Sequence, residues 1–254
     1  MSAAEPGSVA DLRRRLLAAE RIVVFTGAGV STESGIPDFR SPGTGLWSRM
    51  RPIPFDEFLA DDAVRQESWR RRFEHGGAIE SASPNRGHRA VAQLVAEGRC
   101  HTVITQNIDG LHQASGIAPQ QVVELHGNGT YATCLSCEQR FELDALEAQF
   151  DAAGRIDPCP SCGGIIKAAT ISFGQAMPIG AMALAEAAIN DCDLCLTLGS
   201  SLSVFPAAAF PQRAVELGAS LIIINREETP LDPLADLRLG TEIGPTLGEA
   251  LAVG

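Results

Sequence analysis

Six short apolar runs punctuate the chain: IVVF (22–25), HTVITQN (101–107), QVVELH (121–126), DLCLTLG (193–199), SLIIIN (220–225) and DLRL (236–239). Within them apolar residues follow one another instead of alternating with polar ones. That pattern belongs to strands covered on both faces, and it predicts a parallel sheet. Helical spacing fills the intervals. Residues 10–20 put Leu12, Leu16 and Ala19 on one face, and residues 85–97 turn Val91, Leu94 and Val95 inward before Gly98, a helix-ending signal. Residues 178–190 and 205–217 complete the set. Alternating strands and helices predict an α/β chain with a doubly wound sheet.

Two segments break the alternation. Residues 41–84 are rich in proline and arginine and carry Trp47, Phe55, Phe58, Trp69 and Phe73, while residues 127–168 carry a cysteine cluster. Both interrupt the sheet-forming pattern. The expectation is one catalytic unit: a Rossmann-like large domain over about 9–40, 85–126 and 169–254, and a smaller inserted zinc-ribbon and helical domain over about 41–84 and 127–168, the ribbon itself at 131–166. A cleft should separate the two, and in such sheets a ligand sits at the carboxyl ends of the strands.

Composition narrows the class. The chain has 254 residues, 45% hydrophobic, with a net charge of −11. That suffices for a real core and argues against wholesale binding to nucleic acid or to an anionic membrane. No apolar run reaches the ~18 residues of a spanning helix. The stretch MSAAEPGSVADLRRRLL lacks the apolar core of a signal peptide, so the cytoplasm is the expected location. A single lysine, Lys167, stands against nineteen arginines, a compositional bias to which the sequence attaches no mechanism.

The seven cysteines of such a chain are not a disulfide framework. Cys134-Leu-Ser-Cys137 and Cys159-Pro-Ser-Cys162 lie in turn-rich sequence with twenty-one residues between them. Two such knuckles make a tetrahedral thiolate site for one structural zinc, with no position open for water and hence no chemistry of its own. Cys192 and Cys195 share an apolar strand, where residues three apart face opposite sides; they and Cys100 read as buried small hydrophobes.

The strand ends carry the candidate chemistry. They read Thr26-Gly27-Ala28-Gly29, Gln106-Asn107-Ile108-Asp109, Glu124-Leu125-His126-Gly127, Gly199-Ser200-Ser201 and Asn225-Arg226-Glu227. Five small or polar ends on one edge make a site for a large polar ligand. Gly27 and Gly29 admit a phosphate close to the backbone at a helix start. The dinucleotide fingerprint is incomplete, because Thr32 stands where its third glycine belongs. Among five histidines, His75 and His101 sit near surface turns, His88 starts a helix and suits a structural hydrogen bond, and His112 follows a glycine turn and caps or packs. His126 ends a strand where the cysteine segment joins the sheet, a position suited to a general base.

In order and spacing, GAGVSTESGIPDFRS, TQNIDGLH, ELHG, the paired CxxC ribbon, GSSLSVFP and IINRE resemble the sirtuins, NAD-dependent protein deacylases, in their bacterial form. The resemblance covers about residues 10–252. It implies that NAD is a consumed co-substrate cleaved at the nicotinamide–ribose bond, which removes the need for the hydride-transfer fingerprint. By motif match, Gly27, Ala28, Gly29, Thr32, Asp38, Phe39 and Arg40 contact the phosphates and ribose; Gln106, Asn107, Ile108 and Asp109 form the nicotinamide pocket; and Gly199, Ser200, Ser201, Asn225, Glu227 and Ile243 hold the adenosine half. His126 is the implied base, with Asn107 and Asp109 beside it in catalysis. The partner is an acyl-lysine peptide lying as a strand between Ile171–Gly174 and Ser203–Phe205, with Ile171, Phe173, Gly174, Ser203 and Val204 in contact. The products would be free lysine, nicotinamide and O-acyl-ADP-ribose, and the expected state is a monomer.

Two departures from related patterns bear on the substrate, the first in the peptide groove and the second in the small domain. Relatives show Lys- or Arg-Pro before the groove strand and Glu after its Phe-Gly, where this chain has Lys167-Ala168-Ala169 and Gly174-Gln175. Relatives acting on acidic acyl groups show Tyr-x-x-Arg, where this chain has Trp69 and Arg72. Neutral acyl groups such as acetyl are therefore favoured, and the surrounding arginines read as a solvated helix face. Rival readings are protein mono-ADP-ribosyl transfer or longer-chain deacylation in the same pocket, a conventional dehydrogenase, which Thr32 opposes, and a zinc-ribbon binding module without catalysis.

Overall fold

The computed structural model describes residues 7–38 and 51–254. Helix α1 (Val9–Ala18) is capped by Ser8, whose Oγ accepts from the Asp11 N–H. Strand β1 (Ile22–Thr26) leads into a 3-10 helix, Ala28–Ser34. Helices α2 (Phe55–Ala60), α3 (Asp62–His75), α4 (Gly77–Glu80) and α5 (Arg86–Ala96) precede β2 (Cys100–Thr105). A short α6 (Leu111–Ala114) and β3 (Val122–Glu124) follow, then β4 (Gly127–Cys134), β5 (Arg140–Glu142), α7 (Leu143–Ala153) and β6 (Ile166–Thr170). The chain closes with α8 (Ile179–Asp191), β7 (Leu194–Leu198), α9 (Ala209–Glu216), β8 (Ser220–Ile224), β9 (Leu237–Leu239) and α10 (Ile243–Leu251).

Six strands form a parallel sheet in the order β3-β2-β1-β7-β8-β9, and each expected apolar run supplies one of them. The unbroken apolarity has its cause in the two cores. Ile22 and Val24 of β1 face Leu12 and Leu16 of α1, Val91 and Leu94 of α5, and Leu247 of α10. Val23 and Phe25 point the other way, toward Ala185 and Ile189 of α8 and Phe210 and Ala214 of α9. Each such side chain taken out of water contributes about 1.5–3 kcal/mol, so strands buried on both faces anchor the fold.

The two interrupting segments share a third core. Trp69 of α3 packs with Ala132 of β4, Leu143 and Leu146 of α7, and Ile156. Its ring stacks on Phe73, which meets Phe150, at centroid distances of 5.5 Å each. Here β5, β4 and β6 form a separate antiparallel sheet. The arginine run divides: Arg70 and Arg71 pair with Glu67 and Glu74 on the surface, whereas Arg72 turns inward to the Gly129 carbonyl.

Three elements differ from expectation. The helix expected from residue 205 begins at Ala209, after a turn through Pro206. Helix α7 stands inside the cysteine segment, where turn residues dominate the sequence signal. Helix α10, IGPTLGEAL, carries two glycines and a proline, which mask its helical character. Tertiary packing overrides that propensity, because α10 is buried against α1 and α5. At Gly244 a Cβ would overlap the Glu33 carboxylate, which accepts from the Gly244 N–H at 2.7 Å.

Candidate active site

The strand order reverses its direction of growth between β1 and β7, and a cleft opens at their carboxyl ends, as this topology dictates. The two loops there are stitched together by backbone. Gly27 N–H donates to Leu198 O at 3.0 Å and Gly29 N–H to Gly199 O at 2.8 Å. A Cβ on Gly29 would stand 2.7 Å from Gly199 Cα, so the approach requires glycine. The cleft measures about 690 Å³.

Most of the residues singled out in the sequence meet here. Gly27, Ala28, Gly29 and Asp38 line it from the first loop, and Gln106, Asn107 and Ile108 from the turn after β2. His126 lies between them and the groove residues Ile171, Phe173, Gly174 and Val204. Gly199, Ser200, Ser201, Asn225, Glu227 and Ile243 line the far end. Three others stand elsewhere. The Thr32 hydroxyl donates to Gly29 O at 2.9 Å and braces the loop from outside the cleft lining. Asp109 is buried below the floor, and Ser203 pairs with Ser201 on an exposed rim. Phe39 and Arg40 lie outside the described residues.

The floor is a directed hydrogen-bond network. Asn107 Nδ2 donates to Gly27 O and to Ser31 Oγ, both at 3.2 Å. Ser31 Oγ donates to Asp109 Oδ2 at 2.6 Å, and the Leu111 N–H donates to Asp109 Oδ1 at 2.9 Å. Behind Ser31 lies His88, whose Nδ1 accepts from the Asn85 N–H in a helix-capping box, so that Nε2, 3.5 Å from Ser31 Oγ, carries the hydrogen of the neutral ring. His112 meets His88 edge-on, and its Nε2 lies 2.9 Å from Thr26 Oγ1. Thr26 in turn donates to Thr105 Oγ1, which also accepts from the Asn107 N–H. Burial pulls His88 down to about 4 against the Asp109 carboxylate, and burial beside His88 pulls His112 to about 3. Both rings are neutral at physiological pH. Sequence reasoning placed these histidines as structural but missed Ser31; a serine one turn into the loop, on the face toward Asp109, was the available signal.

His126 is held differently. Its Nδ1 donates to Gln106 O at 3.0 Å, which leaves Nε2 as the basic nitrogen of the neutral ring. Gln106 is itself fixed, its side-chain carbonyl accepting from Ser200 Oγ at 2.7 Å. Nearby, burial raises the Glu124 carboxyl above its ordinary range although Gln113 and Asn128 both donate to it.

The cysteine cluster forms at the tip of the antiparallel sheet. Two matching turns build it: Glu138 N–H donates to Cys134 O and Gly163 N–H to Cys159 O, with Glu138 and Gly163 both at left-handed φ. The four sulfurs lie within 4.8 Å of one another, with Cys134–Cys162 at 3.5 Å and Cys137–Cys159 at 3.7 Å. A tetrahedral zinc with bonds of ~2.3 Å sets sulfurs ~3.8 Å apart, so the set fits a structural zinc. Cys195 is fully buried in β7 and Cys100 in β2, apart from this cluster.

Comparison with known proteins agrees with this geometry. The family model described as "Sir2 family" matches residues 27–206. The NAD-dependent protein deacetylase of Rhodopseudomonas palustris is 56% identical over 230 residues, 91% of this chain and 90% of that protein. NAD-dependent protein deacetylase 1 of Bradyrhizobium diazoefficiens is 55% identical over the same shares. A solved structure described as "Sir2-p53 peptide-NAD+" superposes with a TM-score of 0.86 at 32% identity, over 97% of this chain and 98% of that one. The chain belongs to the Sir2 family, the sirtuins.

Proposed function

We propose that this chain is an NAD-dependent protein-lysine deacylase acting on neutral acyl groups, acetyl foremost. The observation that carries the reading is His126, basic at Nε2, lining the cleft between a dinucleotide loop and an apolar groove. NAD supplies the electrophilic ribose carbon that receives the acyl oxygen as nicotinamide leaves. Asn107 and the Ile108 backbone hold the carboxamide end, and Asp109 supports them from below the floor through Ser31, which accepts from Asn107 Nδ2. His126 accepts a proton from a hydroxyl presented in the cleft, and the apolar groove at Ile171 and Phe173 takes the lysine stem.

The preference for neutral groups is supported by the placement of Trp69 and Arg72. Trp69 is buried among Leu143 and Leu146, Arg72 donates to Gly129 O and pairs with Glu80, and neither is part of the cleft lining, so this pair presents no cation or phenol there to an acidic acyl tail. Longer acyl chains are a second reading, favoured by a hollow of about 450 Å³ bounded by Pro54, Phe55, Leu59 and Phe173 beside the groove.

The test is a mass-spectrometric assay with NAD and acetyl-, propionyl-, succinyl- and myristoyl-lysine peptides. Equal amounts of deacylated peptide, nicotinamide and O-acyl-ADP-ribose, largest with acetyl, are expected. Nicotinamide release without loss of acyl group would move the reading to ADP-ribosyl transfer.

A further inference from the structure

The only lysine of the chain is buried beside the groove. Lys167, 5% exposed in β6, donates through Nζ to Thr170 O at 2.6 Å and to Ala168 O at 3.3 Å. Its ammonium lies 5.9 Å from the centroid of the Phe58 ring of α2. Burial draws its pKa down to about 8. Taking an ammonium out of water costs several kcal/mol, and a well-packed apolar chain of the same length would cost less. Stability alone does not account for a charge here.

The bond to Thr170 acts on the direction of the chain as it leaves β6. From that carbonyl onward each residue is fastened in turn. The Ile171 N–H donates to His126 O at 2.8 Å, the Ser172 N–H to Gln175 Oε1 at 3.1 Å, and Phe173 O accepts from the Phe55 N–H at 2.9 Å. Gln175 thus secures the turn, its own N–H donating back to Ser172 O at 3.0 Å. The Lys167 bond is the first of this series and the only one made by a charged group, which makes it the strongest. Of the groups it touches, Thr170 lines the cleft, next to the groove residues Ile171 and Phe173.

We propose that Lys167 is a positioning residue for the substrate: by holding the Thr170 carbonyl it sets the register of Ile171–Gly174 and so the affinity for an acyl-lysine peptide, with no effect on the dinucleotide half. This rests on the deacylase reading of the cleft. The test measures dissociation constants for an acetyl-lysine peptide, by fluorescence anisotropy, and for NAD, by calorimetry, on the full chain.

In K167M, peptide affinity falls about tenfold, the loss of one charged hydrogen bond. NAD affinity is unchanged, the melting temperature is equal to or above that of the wild type, and K167R regains peptide affinity. Should K167M not fold, K167Q takes its place, keeping a donor without the charge. Unchanged peptide affinity in the uncharged variant, or peptide and NAD affinities falling together with the melting temperature, overturns the proposal. Wild-type protein that binds peptide but releases no acyl group would sink the deacylase reading and leave the positioning role standing; wild-type protein that binds no peptide would sink both.

Discussion

His126 and His112 are both imidazoles close to the cleft, yet their surroundings assign them opposite tasks. His126 keeps a basic Nε2 at the lining, so His126→Ala should retain the melting temperature and zinc content while kcat drops roughly 100- to 10,000-fold, the usual contribution of a general base. Wild-type turnover by that variant would remove His126 from catalysis. His112 and His88 are buried and neutral, and they matter for stability. Their folded values, about 3 and about 4, lie below the ordinary 6.5. Between 6.5 and about 4 the unfolded chain therefore takes up protons that the fold refuses, and stability falls as pH drops through that window and is fully present above it. Each ring contributes a slope of about 1.4 kcal/mol per pH unit. Urea denaturation at pH 7, 6 and 5 should show this decline, and H112F should make it shallower. The single-letter sequence shows a histidine after a glycine turn; it does not show that Thr26, seventy-nine residues from Thr105, sits between them, so the network was legible only as a structural role.

Elements were legible where burial and periodicity coincide. The five strands β1, β2, β3, β7 and β8 announced themselves because both faces are covered, whereas β9 at the edge turns Leu237 and Leu239 to one core and leaves Arg238 part-exposed; the glycine loop was legible because only glycine lets Gly29 approach Gly199. Helix α10 was not, since its glycines and proline are dictated by neighbours such as Glu33 that no local window contains. The antiparallel sheet was legible through its cysteines instead of its strands. Its core is small, and Cys134 and Cys159 are part of it, so removing the metal should loosen β4–β6 and α7 together. Trp69, 3% exposed, reports on this core. Chelation should red-shift its emission and abolish turnover, and returning one equivalent of zinc should restore both. Emission unchanged on complete loss of metal would mean that the apolar contacts hold this unit alone.

On the scale of the molecule, the cleft exists because the chain passes repeatedly between the two sheets. His126 ends the passage from β3, Gly127 begins β4, and Thr170 returns from β6 to the groove. The interruptions in the strand–helix alternation at 41–84 and 127–168 were visible in the sequence. The buried position of the lone lysine was not, because nothing local distinguishes Lys167 from a surface lysine. Its burial gives the folded surface a chemical character that its charge count conceals. Nineteen of the twenty basic side chains are guanidinium groups, which do not take acyl groups under physiological conditions, and the remaining amine is shielded by Thr170, Ala168 and Phe58. Treated with acetic anhydride in its native state, the protein should show no acetyl group on Lys167 by peptide mass spectrometry, and full acetylation once unfolded in urea. A deacylase built in this way presents, once folded, no accessible lysine of its own to compete with its substrates for the cleft.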